Sequence, residues 1–225
     1  MCGRTKEEHD ENLKVFLNAA KECHLTLNEG KCKCATETIS LLGYHISKGV
    51  LQPDPDHVKP VLNMPVVPRN SKELQRLVGL FAYYAQWIPR YCDKIRPLVA
   101  AKVFPLDENA AGAVKVLMDD LSSAALGAID EKLPFVLKTN ASENAISATL
   151  NQQNRPVAFV SRTLNSNERR HVSVEKEALA IVQAVRKWAH LLTGRRFKIA
   201  TDRRSVAFMY DNNNHGKIKN DKVLR

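Results

Sequence analysis

At 225 residues the chain is long enough for one large domain or two small ones, and its 44% hydrophobic and 26% charged residues are those of a globular protein. No apolar run approaches the roughly 20 residues of a membrane-spanning helix, and the start, MCGRTKEEHDENL, lacks a signal peptide's apolar core. An intracellular location, cytoplasmic or nuclear, with no membrane partner is therefore expected. The 34 Lys and Arg outnumber the 24 Asp and Glu, and a net charge of +10 favours a polyanion, nucleic acid ahead of a membrane surface.

Five cysteines, an odd number, fit free thiols better than a disulfide framework. Cys32-x-Cys34 with Cys23 and His24 nearby lacks the spacing of zinc knuckles, so zinc is not expected.

Thr5 and Glu8 form a capping-box pattern, and Leu13, Phe16, Leu17 and Ala20 follow at helical spacing, which predicts a helix over Lys6–Glu22. Leu25-Thr26-Leu27 reads as a short strand. Residues 38–47, TISLLGYHIS, read as a longer one that turns at Lys48-Gly49 into Val50-Leu51. Asp54 and Pro55 can open a helix, which Pro60 keeps short or kinks. Asn70 with Glu73 caps the next one, whose face runs through Leu74, Leu77, Phe81, Tyr84 and Ile88. Arg76, Tyr83, Trp87 and Arg90 flank that face. Arginines mixed with aromatics can hold phosphates and stack bases, or simply seal a helix edge. A further helix is predicted over residues 107–125, through Val114, Leu117 and Leu121.

From there the pattern changes to strands at residues 133–137, 145–150 and 155–162, joined by polar turns. A long helix over residues 172–192 follows, with Val174, Ala178, Ile181, Val185, Trp188 and Leu192 as its seam and Gly194 as its stop. Residues 197–201 make a fourth strand, and 205–210 can begin another helix. The last stretch, DNNNHGKIKNDKVLR, has no apolar period and reads as a solvated, mobile tail.

A strand, crossover helix and strand place the fourth strand parallel beside the first. That brings Thr139-Asn140 and Thr201-Asp202 to adjoining strand ends, with Glu177, one position off the seam, leaning over them. Several carboxylates around a pair of Mg²⁺ ions are what two-metal phosphodiester hydrolysis needs. Taken alone, a helix Glu and a strand-end Asp are as readily ordinary solvated charges, and Asn140 is not an acid.

The segments FVLKTNAS, RPVAFVSRTLN and VEKEALAIVQAVRKWAHLLTGRRFKIATDRRSV resemble the ribonuclease H-like domain of gypsy-type LTR retrotransposon polyproteins. Upstream, KEEHDENLKVFLNAAKECHLTLNEGKC, SLLGYHIS and SKELQRLVGLFAYYAQWIPRY resemble the end of a reverse transcriptase palm and its thumb. The resemblance implies an α/β (α+β) fold, a ribonuclease H-like mixed sheet with helices, preceded by a helical thumb. It implies a palm end at residues 1–52, thumb or connection helices at 53–127, a ribonuclease H-like domain at 128–210 and a tail at 211–225. Its partner is an RNA–DNA hybrid or duplex, with other parts of such a polyprotein as further associates, and the family reactions are RNA-directed DNA synthesis and Mg²⁺-dependent cleavage of RNA in hybrids. Glu177 and Asp202 then occupy metal-ligand positions, Gly43 and Tyr44 fall where the family holds a primer terminus, and Arg76, Tyr83, Trp87 and Arg90 are nucleic-acid contacts.

The sequence departs from that pattern at Asn140, where the family has Asp. It also ends at Arg225, before the family's last carboxylate, and begins after the paired aspartates of the polymerase. By itself it is therefore expected not to polymerise DNA and to cleave weakly or not at all. The expectation from another class is a non-catalytic nucleic-acid-binding module. A decayed remnant that folds poorly is a third.

Overall fold

The computed structural model describes residues 5–28, 30, 32, 36–64 and 68–201. The chain divides into two compact units, Met1–Ile39 and Ser40–Arg225, each taken here by itself. The expected helix at 205–210, the tail, Cys34 and Asp202 lie outside the described residues.

In the first unit, helix α1 runs over Lys6–Glu22 as its capping pattern predicts, and Thr5 Oγ1 accepts from the Glu8 amide at 3.2 Å. Its apolar stripe is largely uncovered, however: Ala20 is buried, while Phe16 and Leu17 are exposed. Residues 25–27 form no strand. Strand β1 (Thr38–Leu41) crosses the division between the units.

In the second unit, residues 38–47 are two strands rather than one. Leu42 (φ 52°) and Gly43 (φ 82°) turn the chain, and β2 (Tyr44–Ser47) follows. A second turn at Lys48 (φ 47°) and Gly49 (φ 74°) leads into β3 (Val50–Pro53), with Ser47 paired to Val50. Two consecutive residues with positive φ suit the twist of a two-residue hairpin, and in each turn the second is a glycine. Both are X-Gly pairs, and the apolar Leu42, continuous with the run before it, is why only Lys48-Gly49 is legible as a turn signal.

Helix α2 (Pro55–Leu62) is capped by Asp54 and stays short around Pro60. Helix α3 (Ser71–Tyr83) is capped by Asn70, whose Oδ1 accepts from the Glu73 amide at 3.0 Å, and Glu73 reaches back to the Arg69 amide at 2.8 Å. The predicted face is buried from Leu74 to Ile88, yet the helix stops at Tyr83. A 3₁₀ turn over Ala85–Trp87 follows, Arg90 takes the left-handed conformation, and a helix not foreseen from the sequence, α4 (Tyr91–Ala100), begins. Helix α5 (Glu108–Ser122) is capped by Asp107. These helices share a core of Leu77, Phe81, Ile88, Leu98, Leu117 and Leu121, closed on one side by Tyr44 and Leu51. A two-residue strand, β4 (Leu126–Gly127), adds to β3.

The second sheet has the order β7-β6-β5-β8. Strands β5 (Phe135–Ala141), β6 (Ala145–Gln152) and β7 (Arg155–Thr163) form an antiparallel meander. After helix α6 (Ser173–Lys187), β8 (Phe197–Ala200) returns parallel to β5, from Phe135↔Phe197 to Lys138↔Ala200. That is the crossover expected of this element order. The long helix is not continuous: Trp188 interrupts it before the short α7 (Ala189–Leu192), and Gly194 (φ 75°) ends it.

Both faces of this sheet are covered. Phe135, Leu137, Ala148 and Leu150 on one face pack against Ala184 and Trp188 of α6 and its end. The other face carries Phe159, which packs on the helical core, and Ser161, whose Oγ accepts from the Cys92 amide at 3.0 Å. This two-sided cover explains why β6 is buried at nearly every position. The architecture is the expected mixed α/β, with a ribonuclease H-like sheet preceded by helices.

Candidate functional site

Strand β5 does not end at residue 137 as expected but continues through Thr139 and Asn140, pairing Asn140 with Ser147 and Ala141 with Ile146. Side chains alternate across a strand, so Thr139 shares the face of Phe135 and Leu137, the one that α6 covers. Asn140 stands on the other face, in a cross-strand row with Ser147 and Ser161, and is exposed. Thr139 Oγ1 is buried and has no hydrogen-bond partner among the described residues.

Glu177 is more deeply placed than its predicted position beside the seam. It is 3% exposed, on the same buried side of α6 as Ala180, Ile181 and Ala184. The apolar seam read from the sequence is rotated: Val174 and Val185, counted as its members, are half-buried, while Lys176 and Glu177 are inside. Apolar residue type alone hid this, because two charged residues occupy inward positions and no apolar period marks them. A carboxylate this far from water costs free energy unless partners or cations offset it.

The connection from β7 into α6 is fixed by a clip. Arg162 donates twice to Glu168, at 3.0 and 2.8 Å, and Glu168 Oε2 also accepts from the Asn165 amide at 2.9 Å. The hydrogen-bonded guanidinium holds the Glu168 carboxyl below its ordinary range, with burial opposing and the Asn165 amide assisting. Arg169 Nε donates to the Leu164 carbonyl at 3.0 Å. These bonds order the loop immediately before the helix that carries Glu177.

A second group of predicted residues gathers at the Leu42-Gly43 turn. A methyl added to Gly43 would lie 3.4 Å from Tyr83 Oη and 3.5 Å from His57 Nδ1, so α3 and α2 both approach this backbone. The Gly43 carbonyl accepts from the Asp54 amide at 2.9 Å. Tyr83 is 66% exposed, and its ring meets Tyr84 edge-on at 5.0 Å. Tyr84 donates to the His57 carbonyl at 3.0 Å, and burial, with Tyr83 and Asp54 adding to it, raises its phenol above the ordinary value. Tyr44 pairs with the Gln86 side chain at 3.1 Å and packs on Trp87 at 5.6 Å. Trp87 itself is 3% exposed, so its indole braces Tyr44 and presents no open face to a base. Arg76 and Arg90 are exposed, with the Arg90 guanidinium 3.6 Å from Asp93. His57 and Gln86 were not singled out by sequence reasoning. Neither belongs to a motif, and only the fold brings them to the turn.

Two divalent cations need several anionic oxygens close together. Among the described residues no three His, Cys, Asp or Glu side chains are grouped to hold a metal. Of the predicted ligands, Asn140 is an exposed amide, Glu177 is a buried carboxylate, and Asp202 lies outside the described residues. The described donor set does not fit a pair of Mg²⁺ ions.

Residues 130–224 match the family model of the RNase H-like domain found in reverse transcriptase. Over 212 residues, 91% of this chain, the sequence is 31% identical to the retrovirus-related Pol polyprotein from transposon 297 of Drosophila melanogaster. Over 217 residues, 90% of the chain, it is 29% identical to the transposon Tf2-3 polyprotein of Schizosaccharomyces pombe. The chain spans only 20% and 16% of those two relatives. Among solved structures, the foamy viral protease-reverse transcriptase in complex with an RNA/DNA hybrid superposes with a TM-score of 0.75 at 19% identity, over all of this chain and 32% of that one. The chain is thus similar along most of its length to part of the polyproteins of LTR retrotransposons, and it has the fold of the corresponding part of a reverse transcriptase.

Proposed function

We propose that this chain is the part of a gypsy-type reverse transcriptase running from the palm end (residues 1–52) through the thumb helices (53–127) into the ribonuclease H-like domain (128–210). In this reading it grips an RNA–DNA hybrid or duplex and cleaves the RNA strand weakly or not at all. The observation that carries the second half is Asn140. It supplies an amide, which brings no negative charge and turns an NH₂ donor toward any cation, at the strand end where the relatives' chemistry calls for a carboxylate. Loss of one charged group from such a centre costs about 10²-fold or more in rate. The grip is supported by the exposed Tyr83 beside the Gly43 turn, by the exposed Arg76 and Arg90 elsewhere on the helical part, by the net charge of +10, and by the hybrid bound to the foamy viral relative. The proposed setting is intracellular, in a retroelement particle or the nucleus.

Two measurements test this. Hybrid binding is expected to weaken steeply with salt, by about 10³-fold between 50 and 200 mM if some six phosphates are held. No binding at low salt would end the proposal. Cleavage of a labelled hybrid in Mg²⁺ or Mn²⁺ is expected to be at background for the native chain and to rise at least about 10²-fold in Asn140→Asp. Native cleavage that Glu177→Gln abolishes would overturn the reading of inactivity.

A further inference from the structure

Helix α4 opens at Arg90, a non-glycine residue held at φ 55° and ψ 36°, and its first turn docks on the end of the second sheet. Two bonds make the contact. The Cys92 amide donates to Ser161 Oγ of β7 at 3.0 Å, and the Asp93 carboxylate accepts from Ser142 Oγ at 2.7 Å. Ser142 is the centre of the β5–β6 turn. Its Oγ accepts from the Ala145 amide at 2.9 Å and from the Asn144 amide at 3.3 Å, and its own amide donates to the Ala145 carbonyl at 2.8 Å. Asn140 lies two residues before Ser142, and Ser161 stands in Asn140's cross-strand row. Asp93 is only 24% exposed, and its second oxygen faces Arg90 at 3.6 Å.

We infer that Asp93 is a positioning residue: it anchors the β5–β6 turn to α4 and so sets where position 140 stands relative to the helices. Without it the Ser142 hydroxyl keeps one acceptor, the Ala145 carbonyl at 3.0 Å, but the turn loses its tie to the helix and opens more readily. What Asp93 adds is the anchor between helix and sheet. The neighbouring cation makes it adjustable, because a phosphate that draws Arg90 away leaves the Asp93 charge to Ser142 alone. The structural link stands without the proposed function. The catalytic consequence rests on it, because it takes position 140 to be the place where a scissile phosphodiester is presented.

The test compares Asp93→Ala, which removes the acceptor, with Asp93→Asn, which keeps an acceptor oxygen but drops the charge. In the full chain, amide exchange at Asn144, Ala145 and Cys92 is expected to speed up about tenfold in Asp93→Ala, equivalent to about 1.4 kcal/mol, and less than about twofold in Asp93→Asn, with Leu117 and Leu150 unchanged in both. Unchanged exchange at all three amides overturns the inference, as does equal acceleration throughout the unit. In an Asn140→Asp background that cleaves hybrid, Asp93→Ala is expected to lower kcat about tenfold at constant KM and Asp93→Asn to restore most of it. An unchanged kcat overturns the positioning role. If Asn140→Asp does not cleave, the nuclease reading fails, and the exchange measurements still decide the anchor on their own.

Discussion

Around the Leu42-Gly43 turn, Tyr44, Tyr83, Tyr84, Trp87 and His57 gather with few charges among them, and the most exposed ring, Tyr83, stands on a well-packed helix. At the end of β5 the inventory is reversed: an exposed amide at Asn140, a hydroxyl at Ser142 and the Asp93 carboxylate held by that hydroxyl, with Glu177 of α6 buried on the side of the sheet that the helix covers. The two regions tolerate change differently. A surface that stacks and steers needs shape and a favourable field, and it survives the loss of any one group. A centre that must hold two cations needs each of its charges. One amide can therefore silence the second region and leave the first intact, which is why gripping and cutting separate in the proposed function.

The comparison breaks if the two regions are independent modules. Phe81, under the turn, and Phe135, under α6, are both fully buried. Truncation of either to Ala is expected to cost about 3–5 kcal/mol. Because Phe159 and Ser161 of the sheet contact the helices, each variant should shift one shared transition in urea. Two separated transitions in Phe135→Ala, with the helical signal unmoved, would show that the sheet unfolds alone.

A smaller effect sharpens the account of the turn itself. Gly43 holds φ 82°, a conformation in which a side chain costs about 1–2 kcal/mol. A methyl there meets Tyr83 and His57 at ordinary contact distance, so the cost is backbone rather than clash. Gly43→Ala is therefore expected to lower stability by about 1 kcal/mol and to weaken hybrid binding, while leaving the Asn140→Asp gain in cleavage per bound hybrid unchanged. Gly43→Asn should lose less, since Asn tolerates this region better. Equal loss for Ala and Asn would show that the space beside Tyr83, and not φ, decides.

How much of this was legible in advance follows from where each signal resides. The caps at Thr5, Asp54 and Asn70 and the helix phases that follow them are local, and each cap accepts from a backbone amide of its helix's first turn. The meander and the parallel return of β8 follow from strand lengths and one chain-crossing rule. What escaped is tertiary. Nothing local announces that α3 ends at Tyr83, since Tyr84 and Ile88 keep its phase; the break is fixed by Tyr84 reaching His57 and by Arg90 in a left-handed conformation. Helix α4 then runs through Pro97, which reads as a stop. Glu177 was singled out as a carboxylate one position off the helix seam, a place the family resemblance also marks, and its depth is a property of the packed helix. Asp93 carries no motif and matters only because the fold sets it against Ser142.

The smallest effect lies in the clip ahead of α6, and it checks that this loop serves the strand end and not the turn. Glu168 titrates below its ordinary value of 4.5 because Arg162 holds the carboxylate form. A depressed folded-state value adds stability that is complete above the unfolded value and is lost as pH falls through the folded one. Arg162 is 37% exposed, so the contribution is at most about 1 kcal/mol. The difference in urea midpoint between the native chain and Glu168→Gln is thus expected to be constant from neutral pH down to about 5, and to vanish below the native carboxyl's own titration. Hybrid binding at neutral pH should be the same in both. If Glu168→Gln instead weakens binding as much as Gly43→Ala does, the loop and the turn act on one surface, and the division between a gripping end and a cutting end has to be redrawn.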